Sequence, residues 1–178
     1  RRFGKSLLLS TLEAYFCGKK ELFKGLAIEQ LEKDWTVYPV LHLDLNARNY
    51  EDENSLLEEL NKHLEIWEQQ YGSPYGDRAP EERFFHVIRL AHEKTGQRVV
   101  ILVDEYDKPM LQAIEDDELQ RVYRNQLKPF YGVLKSMDGY IKLAFLTGVT
   151  KFGKVSVFSD LNNLTDLSMN PNYVEICG

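Results

Sequence analysis

Residues 99–103, VVILV, form an uninterrupted apolar run that closes on an acidic pair, Asp104 and Glu105. A strand with one wet face alternates apolar and polar positions. A strand without alternation is buried on both faces, as in the centre of a parallel sheet covered by helices. This segment therefore points to an α/β architecture, and the flanking sequence agrees.

Residues 5–16 place Leu8, Leu9, Leu12 and Phe16 at helical spacing, with Gly18 as a stop. Residues 22–31 read as a loop and short helix. Residues 37–45, VYPVLHLDL, alternate and predict a strand with Pro39 near its start. Residues 52–71 carry Leu56, Leu60, Leu64, Trp67 and Tyr71 at spacings of three and four, and Ser55 and Glu58 are spaced like a capping box. Residues 72–79 are a loop, after which Pro80 opens a helix bearing Phe84, Ile88 and Ala91 and ending near Gly96. Residues 116–128 are helical, and Pro129 is expected to kink or restart that helix. Residues 141–147, IKLAFLT, predict a further strand, and the Asn- and Asp-rich tail reads as loops and turns. Strands that alternate with helices imply a mostly parallel sheet flanked by helices, with right-handed crossovers.

A length of 178 residues suits one domain with a sizeable core. No apolar run approaches the roughly 20 residues that cross a bilayer. The net charge of -6 gives the chain as a whole no electrostatic platform for nucleic acid. Cys17 and Cys177 are too few and too far apart for a CxxC site, and they read as free thiols of a cytoplasmic protein. The opening on charged residues beside a Gly-Lys-Ser suggests an excerpt of a longer chain. On this reading residues 1–178 are a partial domain whose first strand and C-terminal region lie outside it.

RRFGKS, followed at once by an amphipathic helix, matches the later part of a Walker A phosphate loop. Gly4 would let backbone N–H groups turn toward phosphates, Lys5 would bridge the β and γ phosphates, and the Ser6 hydroxyl would complete a Mg²⁺ shell. Arg2, Phe3 and Leu7 belong to the same candidate ATP-binding turn, to which the helix adds its positive end. GKS alone is also an ordinary surface tripeptide; the acidic strand end downstream supplies the second half of the pattern. There Asp104 would hold hydrated magnesium and Glu105 would take a proton from an attacking water. Asp107 and Lys108, past the strand, read as solvated residues closing the loop before Pro109.

In the additional-strand (ASCE) class of P-loop ATPases, a polar residue at the end of a neighbouring strand contacts the γ phosphate. Thr147 is the first candidate for that role and Thr150 the second. Lys151 and Lys154 are near enough in sequence to approach a polyphosphate, and Arg121 or Arg124 to act on a neighbour's nucleotide, although exposed Lys and helix Arg more often serve solubility. A paired-carboxylate nuclease site could be drawn from Asp44, Asp104 and Glu105, but it leaves GKS without a role. The four histidines are scattered and do not share a helix face.

RRFGKSLLLSTL, YFCGKKELFKGL, VVILVDEYDKP and LAFLTGVTKFGKVSVFSDLNNLTDLS together resemble the bacterial AAA-ATPase-like family, whose members often carry a C-terminal nuclease-like domain of the PD-(D/E)XK superfamily. The similarity runs over essentially the whole chain. It implies a P-loop fold of ASCE type, with Gly4, Lys5, Ser6, Asp104 and Glu105 matching the family motifs. In this family an Arg-Pro usually precedes RRFGKS, so the loop lacks the first glycine of the standard pattern. The resemblance further implies a strand before Arg1, and a lid and nuclease-like region after Gly178. Residues 158–164, FSDLNNL, match a family signature of unassigned role. The resulting expectation is a Mg²⁺-dependent ATP-hydrolysing module. The alternatives are a nucleotide-gated interaction module with little turnover and a regulatory ATPase domain of a nucleic-acid-processing nuclease. Homo-oligomer formation and nucleic-acid contact through other domains stay open.

Overall fold

The computed structural model describes residues 4–72, 75–149, 157, 161, 164–167, 170–173 and 176. Three strands, β1 (Val40–Asp44), β2 (Val99–Asp104) and β3 (Ile141–Leu146), form a parallel sheet in the order β1-β2-β3. All six residues of β2 are buried. Its side chains divide by parity, as strand geometry requires. Val99, Ile101 and Val103 join the main core with Leu41 and Leu43, while Val100 and Leu102 pack on the opposite face with Leu9 and Phe16.

Helix α1 (Lys5–Phe16) supplies that second layer. The main layer is built by α3 (Ser55–Tyr71), α4 (Pro80–Thr95) and α6 (Asp117–Ser136), with the short α2 (Ala27–Leu31) and α5 (Lys108–Gln112) in the connections. Leu56, Leu60, Leu64 and Trp67 of α3 are buried at their predicted spacing, and Phe84 of α4 stacks on Phe130 of α6 with ring centroids 4.4 Å apart.

Two expected boundaries change. The first strand starts at Val40 rather than 37, because Pro39 has no N–H for the ladder and offers only its carbonyl, to Val100 N–H. Helix α3 starts at Ser55 rather than 52, and its entry is held by Asp52, whose Oδ1 accepts the Asn54 and Ser55 amides, and not by a Ser55–Glu58 capping box. Helix α6 runs through Pro129 as one element. Pro129 and Asn125, whose carbonyl loses its i+4 partner, are both exposed, so water can satisfy that carbonyl. Residues 108–112, with no assignment from the sequence beyond Lys108, form α5.

Parallel strands direct all their carboxyl ends to one edge, where α/β proteins hold ligands. Asp44 and Asp104 lie in register there, and Thr147 follows β3 with its N–H donated to Val103 O at 2.8 Å. Among the described residues, no helix is long and apolar enough to cross a membrane.

Candidate functional site

The start of α1 sits against the end of β2. Gly4 adopts a left-handed backbone (φ 72°), and its carbonyl accepts the first helical bond from Leu8 N–H at 2.8 Å. The helix start has no side-chain cap and no acidic residue in its first turn. Early amides of a helix have no intrahelical acceptor, so this end carries donors unused within the helix and a partial positive charge.

Lys5 and Ser6 meet the acidic pair directly. The Ser6 hydroxyl donates to Asp104 Oδ2 at 2.7 Å, and Lys5 Nζ donates to Glu105 Oε1 at 3.0 Å and to the Gly148 carbonyl at 2.8 Å. Successive strand residues point to opposite faces, so two adjacent carboxylates should not reach the same helix turn. Glu105 escapes that rule with a left-handed backbone, φ 55°, a conformation that costs a non-glycine residue about 1–3 kcal/mol. Asp104 is 5% exposed and its other oxygen accepts the Thr147 hydroxyl at 2.6 Å. Lys5 and Glu105 keep 27% and 19% of their side-chain surface in water, so a ligand can reach them.

Thr147 therefore joins Lys5, Ser6, Asp104 and Glu105 in one cluster. Leu7 contributes no side chain to it, being 71% exposed, with its carbonyl occupied by the Ser10 and Thr11 hydroxyls. Arg2, Phe3, Thr150, Lys151 and Lys154 lie outside the described residues, as does most of segment 158–164, of which Leu161 and Leu164 pack with the main core. Arg121 pairs with Glu118 on its own helix. Asp44 caps its own strand end, its Oδ1 accepting the Asn46 amide at 2.7 Å. Among the described residues no group of three or more His, Cys, Asp or Glu is placed to hold a metal.

Asp107 corrects the sequence reading. It is fully buried, and its carboxylate accepts the Val149 N–H at 2.9 Å (Oδ2) and 3.2 Å (Oδ1). Gly148 lies so close that a Cβ there would stand 2.5 Å from Tyr106 Cε1 and 2.7 Å from Asp107 Oδ1. The available signal was the pattern of Tyr106 and Pro109 flanking Asp107, both buried here. Lys108, the other residue read as solvated, is half-buried, and its Nζ donates to Asn46 O at 2.6 Å.

A family model described as predicted AAA-ATPase matches residues 1–158. A protein of Azotobacter chroococcum mcd 1, described as an uncharacterized protein in the vnfD 5' region, is 42% identical over 179 residues; the match covers the whole of this chain and 34% of that protein. The chain thus spans about a third of the length of this curated relative. No solved structure matches the chain.

Proposed function

Because the chain belongs to the predicted AAA-ATPase family, we propose that its α1–β2 junction binds ATP and hydrolyses it with Mg²⁺, as a P-loop module of ASCE type within a larger protein. The observation that carries this reading is the meeting of Lys5 and Ser6 with Asp104 and Glu105, through contacts of 3.0 and 2.7 Å.

Each residue has a role that its position supports. The uncapped start of α1, from Gly4 through the Leu7 amide and with Arg2 and Phe3 preceding it, would hold the phosphates, with Lys5 as their mobile point charge. Ser6 and Asp104 offer a hydroxyl and a carboxylate side by side, a hard-oxygen pair that suits Mg²⁺, which binds through one or two carboxylates, waters and substrate phosphates. When bound, that ion would neutralise charge on the phosphate oxygens. Glu105 would take the proton of the attacking water as its oxygen bonds to the γ phosphorus and the bond to the ADP oxygen breaks. Thr147, bonded to Asp104, would orient that carboxylate and sense the γ phosphate.

The ASCE assignment draws support from strand order. The acidic strand β2 is central, β3 lies beside it, and among the described residues the outer edge of β3 is unpaired. Leu143, Ala144, Phe145 and Leu146 are only half-buried, so that edge can accept a further strand, the place where the ASCE order puts the phosphate-loop strand.

ATP turnover by the full-length protein, compared with Lys5→Ala and Glu105→Gln, tests the reading; equal rates in all three would sink it. One observation favours a second reading, an interaction module with little turnover: the carboxylate of the would-be base is already occupied by Lys5 at 3.0 Å. Tight ATP binding without phosphate release, with and without added partner, would select that module.

A further inference from the structure

The geometry points to Asp107 as a positioning residue of the proposed ATPase site: its buried carboxylate latches the turn at residues 147–149, so that Gly148 aims its carbonyl at Lys5 and Thr147 its hydroxyl at Asp104. This role presupposes that the α1–β2 junction is an ATPase site.

A fully buried carboxylate is costly unless its oxygens are met by donors. Both oxygens of Asp107 accept from the Val149 amide, and the Val149 side chain, 72% exposed, gives the turn no hydrophobic anchor. The rest of the strap is largely backbone. Tyr106 N–H donates to Thr147 O at 2.9 Å, Thr147 N–H to Val103 O at 2.8 Å, and the Tyr131 hydroxyl supports the Tyr106 carbonyl at 3.3 Å. The acidic loop and the turn thereby become one rigid unit, and the close approach of Gly148 to Asp107 and Tyr106 leaves no room for a side chain.

The outputs of that unit are two contacts to the reactive residues, Gly148 O with Lys5 Nζ at 2.8 Å and Thr147 Oγ1 with Asp104 Oδ1 at 2.6 Å. Asp107 acts on Lys5 and Asp104 through the backbone it fixes. Freeing the turn would leave the donors of α1 in place and disturb the alignment of Lys5, Thr147 and Asp104. Turnover should therefore suffer more than binding.

Full-length Asp107→Ala, Asp107→Asn and Val149→Pro are compared with wild type and Glu105→Gln for kcat, for KM with ATP, and for amide hydrogen exchange at residues 147–149 without nucleotide. An Asn keeps one oxygen for the Val149 amide, while Val149→Pro removes that amide donor and leaves Asp107 intact. In Asp107→Ala and Val149→Pro, kcat is expected to fall about 10²-fold, as for an ångström-scale misplacement, with KM within about threefold and faster exchange in the turn. Asp107→Asn is expected to recover most of the loss. A folded Asp107→Ala with wild-type kcat, equal losses in the Asn and Ala variants, or unchanged exchange would overturn the inference. Should Asp107→Ala not fold, the expected losses in Val149→Pro support the latch, and wild-type kcat there overturns it. If wild type turns over no faster than Glu105→Gln, the ATPase reading fails by itself. Exchange then decides the latch alone: faster exchange in Asp107→Ala supports it and unchanged exchange overturns it.

Discussion

Lys5 Nζ stands 3.0 Å from Glu105 Oε1, so the cation at the helix start and the carboxylate beyond the strand neutralise each other. On the proposed reading, a triphosphate at this site would draw Lys5 away from Glu105, and the same movement would free the carboxylate. Glu105→Gln should lower turnover about 10²- to 10⁴-fold, the usual contribution of a general base. ATP binding should persist or tighten, since the amide competes less well for Lys5. Lys5→Ala should weaken binding itself. Calorimetric titration with ATP beside a phosphate-release assay separates the two effects.

Thr147 and Asp104 are both nearly buried and share a bond of 2.6 Å. Thr147→Val keeps the shape and removes the donor to Asp104 Oδ1. It should destabilise the fold by about 1–3 kcal/mol, while Thr147→Ser restores most of that loss. Urea unfolding of the three proteins checks the order.

The main features of this site could be read before the fold because they depend on residue type at fixed offsets. An apolar run ending in two acids predicts an inner strand, and Gly-Lys-Ser at the head of an amphipathic segment predicts the start of a helix. What could not be read depends on tertiary context. Asp107 looks solvated until the turn after β2 is buried and the 147–149 turn supplies a donor. The left-handed backbone of Glu105 has no local cue, since nothing about a glutamate favours φ 55°. The shortening of β1 could have been seen, because Pro39 lacks the donor that a ladder needs.

Pro129 marks a different limit. Its missing N–H predicts a kink or a restart; α6 does not restart, because Tyr123, Leu127, Phe130 and Leu134 bury one face on both sides of it. The unfavourable term remains, outweighed by packing. Pro129→Ala should therefore stabilise the protein, by about 1–3 kcal/mol, up to the usual penalty of an interior helix proline. Thermal unfolding would show the midpoint rising.

Several tyrosines hold their protons beyond the ordinary phenol range. Hydrogen bonding to Glu32 pushes Tyr15 up to about 12, and burial raises Tyr50, Tyr123 and Tyr131. A raised folded value means that the unfolded chain loses these protons first. The stability these tyrosines contribute is then constant below the ordinary value of 10.0 and falls as pH climbs from there toward 12. Absorbance titration of phenolate should lag behind free tyrosine and rise sharply at alkaline unfolding. Tyr15→Phe should reduce the pH dependence above 10.

Arg83 is the most enclosed cation of the α3–α4 interface, 5% exposed. Its Nε and Nη2 donate to the two Glu68 oxygens at 2.8 and 2.7 Å and its Nη1 to Asn61 Oδ1 at 2.7 Å. The bidentate geometry fixes how α4 lies on α3, but desolvating two charges offsets most of their attraction. Arg83→Ala should then cost about 3–5 kcal/mol, chiefly because Glu68 stays buried and loses its bidentate Arg83 contact. The double substitution Arg83→Met with Glu68→Leu should come within about 1 kcal/mol of wild type or exceed it. Denaturant midpoints for the single and double variants discriminate the cases. A double variant as unstable as Arg83→Ala would mean that the ion pair stabilises the helix pair in its own right, beyond satisfying its own buried charges.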